Sequence, residues 1–312
     1  MPPVTSVEVI INARSGASDK GAMQRRLNEL LQAGGKTQIS IAKTGAQVLE
    51  LARRAARGSS QVIVAGGGDG TISAVASELV DSDKVLGVLP LGTLNHFAQD
   101  LKIPLDLEAA VATIISGYTN SIDVGEVNGH IFINNSSLGL YPTIVRERVK
   151  QQRLGYGKWP AFVWAALTVF RRYPFLDVRL RVDGKMLSSR TPFVFVGNNE
   201  YAMEGFKIGR RERLDAGQLS LYITNRTGRL GLIRLCLRAF FGRLRYEKDF
   251  LAMRTSEVTI EPRRKRHKPT RVAFDGEVDV LETPLHYRVR PGALRVIVPE
   301  PAPKEDAVAD RR

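Results

Sequence analysis

Residues 65–71, AGGGDGT, are of the types that bind phosphate in proteins. They follow a short apolar run that predicts a buried strand, and they precede a helical pattern. Glycines let the backbone approach a phosphate closely, and its oxygens can then accept from successive N–H groups and from the following helix N-terminus. Asp69 lies inside this loop and suits Mg²⁺, which prefers one or two carboxylates plus phosphate oxygens. The simpler alternative is a glycine-rich turn in which Asp69 caps the helix.

Polar loops also follow the other predicted strands of the first 125 residues. They are residues 12–16 (NARSG), 43–45 (KTG) and 90–95 (PLGTLN). Strands and helices alternate here, which predicts an α/β domain with an open, mostly parallel sheet. Ligands of such sheets bind at the carboxyl ends of the strands. Together the four loops therefore predict a nucleotide site at that edge.

The second half of the chain has a different pattern. Short β-rich segments are separated by Gly, Asn, Asp and Pro turns, which predicts a β-sandwich-like domain. Two aromatic and basic insertions, residues 155–173 and 229–250, are predicted to be helical. We expect a nucleotide-binding domain over residues 1–125, a β-rich domain over 126–299 whose last strands return toward the first, and a disordered tail over 300–312.

The composition limits the class of protein. Lys and Arg number 46 against 32 Asp and Glu, and the net charge of +14 favours anionic partners. Cys236 is the only cysteine, which argues against a disulfide framework and a thiolate metal cluster. No apolar run approaches the roughly 20 residues of a membrane-spanning helix. We expect a cytoplasmic protein that associates peripherally with the membrane.

Seven segments carry a family resemblance. They are residues 12–16, 67–71 (GGDGT), 90–98 (PLGTLNHFA), 123–125 (DVG), 132–135 (FINN), 213–217 (RLDAG) and 274–277 (FDGE). With these segments in this order, the sequence resembles the diacylglycerol kinase catalytic family, specifically bacterial lipid kinases related to sphingosine and ceramide kinases. The resemblance implies transfer of the γ-phosphoryl group of ATP to a hydroxyl of a membrane lipid, in phospholipid biosynthesis. Residues 67–71 alone are shared with NAD kinases and phosphofructokinases.

The resemblance also implies roles for individual residues. ATP and Mg²⁺ would be the cofactors, with Asp69 facing the catalytic Mg²⁺ and Asp123 supporting it through a hydrogen-bonded network. Asp275 would be the base for the lipid hydroxyl and Glu277 the organiser of water and metal, although these roles could be exchanged. The expected nucleotide-binding residues are Asn12, Arg14, Ser15, Gly16, Thr44, Gly66, Gly67, Gly68, Gly70, Thr71, Gly92, Thr93 and Asn95.

Several carboxylates leave alternatives open. Asp275 and Glu277 share a face if their run is extended, whereas a hairpin turn would leave them as solvated acids. His96 stands where the family has Asp, which removes one carboxylate near the phosphates. Ala216 replaces the second Asp of the family's Leu-Asp-Asp-Gly segment, which argues against a structural Mg²⁺ at Asp215.

The partners follow from charge and aromatic content. The two insertions and the basic run at 263–268 predict contact with anionic phospholipid, beside a lipid substrate drawn from the membrane surface. Ordinary core packing and a solvated loop are the alternatives. No nucleic acid partner is expected, and the sequence leaves open a homo-oligomer. The rival functions are an NAD kinase-like small-molecule kinase and a non-catalytic basic protein that binds nucleic acid or membrane.

Overall fold

The structure is a computed structural model of the 312-residue chain. It describes residues 6–15, 20–31, 36–139, 142, 175–202, 209–224, 250–263 and 269–300. The predicted helical insertions at 155–173 and 229–250 lie outside the described residues, except for residue 250. So do most of the basic run at 263–268 and residues 301–312 of the expected tail.

The first half forms a parallel sheet with helices. Its strands are β1 (Ser6–Asn12), β2 (Lys36–Ala42), β3 (Val62–Gly67) and β4 (Val85–Pro90). Its helices are α1 (Lys20–Leu31), α2 (Gly45–Arg57), α3 (Asp69–Leu79), α4 (His96–Asp100) and α5 (Leu107–Ser116). The strands are parallel in the order β2-β1-β3-β4. α2 packs against α3, and α1 against α5. β3 and β4 are buried at every position, as expected of strands covered on both faces.

Local sequence signals set the helix ends. Thr44 caps α2, because its Oγ1 accepts from Gln47 N at 3.2 Å. Asp106 caps α5 in the same way through Ala109 N, and Gly117 ends that helix with a φ of 69°. These caps fix where α2 begins and where α5 begins and ends.

The second half is antiparallel. Its strands are β5 (Thr119–Val127), β6 (His130–Phe132), β7 (Asn135–Gly139), β8 (Leu176–Val182), β9 (Lys185–Thr191), β10 (Phe193–Asn198), β11 (Leu219–Thr224), β12 (Phe250–Thr255), β13 (Glu257–Pro262), β14 (Thr270–Phe274), β15 (Glu277–Leu281) and β16 (Leu285–Ile297). Six of them form a sheet in the order β12-β11-β10-β7-β14-β15. β8, β9 and β13 extend the first sheet beyond β16. The predicted fold class, an α/β half followed by a β-sandwich-like half, is confirmed.

β16 connects the two halves. It pairs antiparallel with β13 and β5, and parallel with β4 at Arg295 and Val296. Pro291 and Gly292 in its middle are typical of a turn, but the chain forms one strand with a register shift between Arg290 and Leu294. The ten-stranded sheet is consequently continuous from the parallel region into the sandwich.

One face of the six-stranded sheet packs on the core between the two sheets, and the other face points away from that core. Leu138, Val194 and Leu221 point into the core between the sheets, where Ser136 Oγ lies 3.0 Å from Tyr287 Oη. Side chains alternate along a strand, so the neighbouring residues of β7, β10 and β11 point to the opposite side, here called the outer face. Across the described ranges, no helix combines the length and apolar character needed to cross a membrane.

Candidate active site

The loops after β1, β3 and β4 meet at the carboxyl edge of the parallel sheet. Asn12 Nδ2 donates to Thr71 Oγ1 at 2.9 Å, which ties the first loop to α3. A Cβ on Gly92 would overlap Gly68 Cα and lie 2.6 Å from Asn95 Oδ1, so the two backbones touch. The sequence prediction that these loops converge on one edge agrees with these contacts.

Asn95 sets the shape of the loop between β4 and α4. Its Oδ1 accepts from Gly92 N at 2.9 Å, and its Nδ2 donates to Pro90 O at 3.1 Å and Gly92 O at 3.0 Å. The residue is buried and has a φ of 52°, a left-handed conformation that Asn tolerates. Asn95 thus acts on the loop itself, while Thr93 beside it is exposed.

Asp69 is the first residue of α3 and binds the start of α4. Its Oδ1 accepts from Phe97 N at 3.0 Å, and Oδ2 has no hydrogen-bond partner in the part of the chain described. The N-cap residue Gly68 supplies no side-chain cap, and Thr71 N donates to Gly68 O at 2.9 Å. The amides of Asp69 and Gly70 accordingly remain available for an anion. This loop therefore fits a phosphate group, and Asp69 retains an oxygen for a cation.

The other expected nucleotide contacts have local partners. Asn12 Oδ1 accepts from Arg14 N at 2.9 Å, and Asn12 O accepts from Ser15 N at 3.0 Å. Gly16 lies outside the described residues. Thr44 is exposed and is engaged in capping α2, so its hydroxyl can also donate to a ligand.

The run at 275–277 is a turn and not an extended strand. Asp275 and Gly276 have φ values of 49° and 87° and join β14 to β15, which pair through Phe274 and Glu277. Positive φ at both central residues is typical of a type I′ hairpin, for which Asp-Gly is a preferred sequence. Of the two alternatives left open by the sequence, the chain forms the hairpin and not the extended run, although Asp275 is not a solvated acid.

Four donors hold the Asp275 carboxylate. Oδ2 accepts from Ser73 Oγ at 2.5 Å and from Ile133 N at 2.7 Å. Oδ1 accepts from Asn134 N at 2.9 Å and from Asn135 N at 3.0 Å. A carboxylate has about four lone-pair positions, so Asp275 is saturated. Burial raises the pKa of this carboxyl, and the hydrogen bonds from Ser73 and the three amides offset part of the rise.

Helix α3 brings Asp69 close to Asp275. Ser73 follows Asp69 by four residues, so the two side chains lie on one face of α3, about 6 Å apart along the axis. Ser73 contacts Asp275, whereas Glu277 is exposed at the start of β15. The loop that fits phosphate and the hairpin of the second half thus meet across one helical turn.

Both carboxylate oxygens of Asp123 accept from backbone amides. It is buried, with Oδ2 accepting from Gly217 N at 2.6 Å and Oδ1 from Gly292 N at 2.9 Å. Both oxygens therefore anchor the 213–217 segment and the bulge of β16, and a hydrogen bond toward Asp69 is not found among the described residues.

The remaining carboxylates are dispersed. Asp215 is exposed and pairs with Arg213 at 3.0 Å. His96 is exposed at the first position of α4. No group of three or more His, Cys, Asp or Glu side chains suited to a metal occurs within the described ranges.

Three buried polar residues were missed by the sequence reasoning: Ser73, Asp100 and Arg211. Ser73 has a local signal, its four-residue spacing from Asp69. Asp100 and Arg211 pair at 2.8 Å with side chains 3% and 0% exposed. They are far apart in sequence, so no spacing rule could have paired them.

Comparison with known proteins identifies similar sequences in both halves. Residues 6–127 match the model of the diacylglycerol kinase catalytic domain, and residues 138–298 match that of the YegS C-terminal NAD kinase beta sandwich-like domain. The diacylglycerol kinases of Staphylococcus aureus strains bovine RF122 / ET3-1 and MRSA252 are each 29% identical over 224 residues, 70% of either chain.

Solved structures show the same fold. A diacylglycerol kinase structure from Bacillus anthracis str. Sterne superposes with a TM-score of 0.70 at 18% identity, covering 96% of this chain and 98% of that one. A second structure from the same organism gives a TM-score of 0.75 at 21% identity, covering 96% of this chain and 99% of that one.

Proposed function

The chain belongs to the diacylglycerol kinase catalytic family and is a lipid kinase, and we propose that it uses ATP and Mg²⁺ to phosphorylate a hydroxyl of a membrane lipid. The observation that carries the proposal is the junction on α3, where the phosphate-fitting loop at Asp69 and the hairpin at Asp275 lie one helical turn apart. Phosphoryl transfer needs this proximity of donor site and acceptor site.

The nucleotide side is built from backbone and one carboxylate. The glycine loop and the amides of Asp69 and Gly70 would hold the phosphates, and Asp69 would hold Mg²⁺ through Oδ2. Bound Mg²⁺ would supply neutralisation of phosphate charge. Asn12 and Thr71, joined by a hydrogen bond, would fix the loop against the nucleotide. This assignment uses Asp69 as the sequence predicted, and it leaves Asp123 as an anchor of the second half.

The acceptor side favours an exchange of the roles first given to Asp275 and Glu277. All four lone-pair positions of Asp275 are filled, three of them by backbone amides that cannot rotate away. Glu277 is exposed and two residues further along the same hairpin. We therefore assign proton abstraction from the lipid hydroxyl to Glu277, with Asp275 fixing the hairpin.

Paired variants separate these two roles. Glu277→Gln should lower kcat by about a hundredfold or more without changing the melting temperature, since general bases contribute roughly 10²–10⁴-fold. Asp275→Asn should lower both kcat and the melting temperature, because an amide nitrogen would oppose the backbone donors. If the activity of Glu277→Gln stays within a few fold of the wild type, the general base would be Asp275 and not Glu277.

The outer face of the six-stranded sheet supports a place for the lipid. Ser137, Phe195 and Tyr222 are cross-strand neighbours on this face, and Ala273 pairs with Ser137 on the other side. Ser137 Oγ and Thr224 Oγ1 both lie on it, buried and without a hydrogen-bond partner among the described residues.

This row leads toward the hairpin. Asn135 lies two residues before Ser137 on the same face, and its amide holds Asp275. We assign the apolar part of the acceptor to this face. Ser137→Leu should then raise KM for the lipid at least about tenfold and leave KM for ATP unchanged. An equal rise in both constants would argue for general damage to the fold.

The net charge of +14 supports recruitment to an anionic bilayer surface, from a cytoplasmic location. Activity on vesicles that contain phosphatidylglycerol should exceed activity on neutral vesicles. This difference in activity should disappear at about 1 M NaCl, where the screening length is only about 3 Å. Equal activity on both vesicles at low salt would remove this part of the proposal.

The test of the function is direct. Purified protein is incubated with Mg²⁺, γ-labelled ATP and mixed micelles that contain diacylglycerol, a sphingoid base or phosphatidylglycerol. NAD serves as the control acceptor, because the domain matched by residues 138–298 is described as NAD kinase beta sandwich-like. A labelled lipid supports the proposal and names the acceptor, whereas label on NAD alone overturns it.

A further inference from the structure

The guanidinium of Arg211 is completely buried and touches three separate elements. Its Nε donates to Asp100 Oδ2 at 2.8 Å, and its backbone N donates to Asp100 Oδ1 at 3.1 Å. Nη1 donates to Ile133 O at 2.6 Å and to Asn198 O at 3.1 Å. Nη2 donates to Asn134 Oδ1 at 2.6 Å. Asp100 ends α4, while Ile133 and Asn134 link β6 to β7.

The groups that Arg211 fixes are also the groups that hold Asp275. Arg211 binds the carbonyl of Ile133 and the side chain of Asn134. The amides of the same two residues donate to the Asp275 carboxylate. Arg211 therefore lies directly behind the cradle of Asp275 and sets the orientation of its peptide groups.

A second path leads from Arg211 to the nucleotide side. Asp100 is at the end of α4, and Phe97 near the start of that helix donates its amide to Asp69. From Asp69, one turn of α3 leads to Ser73 and back to Asp275. The contacts therefore close a ring that passes through α4, Arg211, the β6–β7 link, Asp275 and α3.

We propose that the buried Asp100–Arg211 pair is a positioning device for phosphoryl transfer, which holds the Asp275 hairpin at a fixed place relative to Asp69. The inference rests on the proposed function, since it concerns the same site. Burying two charges has a desolvation cost that is often as large as their attraction, so such a pair is a weak source of stability. Its directional hydrogen bonds instead specify one arrangement, and a displacement of about 1 Å can cost about a hundredfold in rate.

The variants to compare are Asp100→Asn and Asn134→Ala. The first weakens the pair, and the second keeps it but removes one contact to the cradle. Each should lower kcat about ten- to a hundredfold and change KM for ATP by less than about twofold. The control is Ile260→Val, which trims a buried side chain in the sandwich core away from the ring.

Hydrogen–deuterium exchange supplies a readout independent of turnover. The amides of residues 133–135 should exchange faster in both variants than in the wild type. In Ile260→Val they should exchange at the wild-type rate. Faster exchange with wild-type kcat would overturn the inference while leaving the kinase intact. Unchanged exchange at residues 133–135 would show that the pair does not hold the cradle of Asp275 and would also overturn the inference. If Asp100→Asn does not fold, the same two outcomes are measured with Asn134→Ala, which keeps the pair. Absence of lipid labelling by the wild type would instead contradict the proposed function.

Discussion

Ser73 Oγ donates to Asp275 Oδ2 at 2.5 Å across 202 residues of sequence. The contact joins the second turn of α3 to the tip of the β14–β15 hairpin. Among the described residues it is the one side-chain donor to a carboxylate whose other three partners are backbone amides. This direct contact between α3 and the hairpin therefore depends on a hydroxyl group that can be removed without altering the backbone.

Ser73→Ala should reduce kcat about ten- to a hundredfold. A hydrogen bond to a charged group contributes about 1.5–3 kcal/mol, and its loss lets the hairpin shift away from α3. Steady-state kinetics with saturating ATP measures the change. Ser77→Ala is the matched control, because Ser77 lies on the same helix and, among the described residues, its hydroxyl bonds only the carbonyl of Ala74 at 2.9 Å. Equal losses in the two variants would contradict the positioning role of Ser73.

Asp69→Asn should abolish detectable transfer and keep the fold. The amide still accepts from Phe97 N through its oxygen, so α4 stays in place, but the variant no longer presents an anionic oxygen to Mg²⁺. Mg²⁺-dependent binding of ATP, measured by calorimetry, should weaken in parallel. Asp106→Asn, at the exposed cap of α5, is the control and should behave as wild type. Wild-type Mg²⁺ dependence in Asp69→Asn would remove Asp69 from the metal site.

Gly92→Ala should raise KM for ATP by about tenfold. The new Cβ would overlap Gly68 Cα and crowd Asn95 Oδ1 at 2.6 Å, which forces the two phosphate-side loops apart at a strain of about 1–3 kcal/mol. Gly45→Ala is the control, since nothing lies within 4 Å of its Cβ. An unchanged KM in Gly92→Ala would show that the contact of these loops does not shape the nucleotide site.

Glu8→Gln should stabilise the protein at neutral pH. Burial raises the pKa of Glu8 above its ordinary value of 4.5, with Arg54 partly opposing the rise, and Oε1 has no hydrogen-bond partner within the described ranges. The folded state thus binds the proton more tightly, so the carboxylate costs stability above the raised pKa. The gain in melting temperature should be a few degrees at pH 7 and should shrink as pH falls to 4.5. A pH-independent gain would contradict this cause.

Much of the fold follows from local pattern. The alternation in the first half and the turn residues in the second half predict the two architectures, since both depend on residues close in sequence. The continuity of β16 was missed because Pro291 and Gly292 indicate a turn, whereas the chain uses them in a bulge paired with β5. That pairing involves residues at least 160 positions apart, which local patterns do not encode.

The site was predicted in part. The sequence identified the loops at 12–16, 67–71 and 90–95, because glycine and asparagine at strand ends have local physical reasons. It did not show that Asp275 is saturated, since its donors Ser73 and Ile133 come from distant elements. For the same reason the partners of the Asp123 carboxylate, the amides of Gly217 and Gly292, do not follow from the sequence.

The most direct test of the central claim is transfer of label from γ-labelled ATP to lipid by the wild type and Asp69→Asn, side by side with Mg²⁺ and diacylglycerol micelles. The account predicts a labelled lipid from the wild type, none without Mg²⁺ and none from the variant. Equal labelling by both proteins would contradict the assigned site. No labelled lipid from any acceptor tested, with ATP still bound by the wild type, would contradict the proposed reaction.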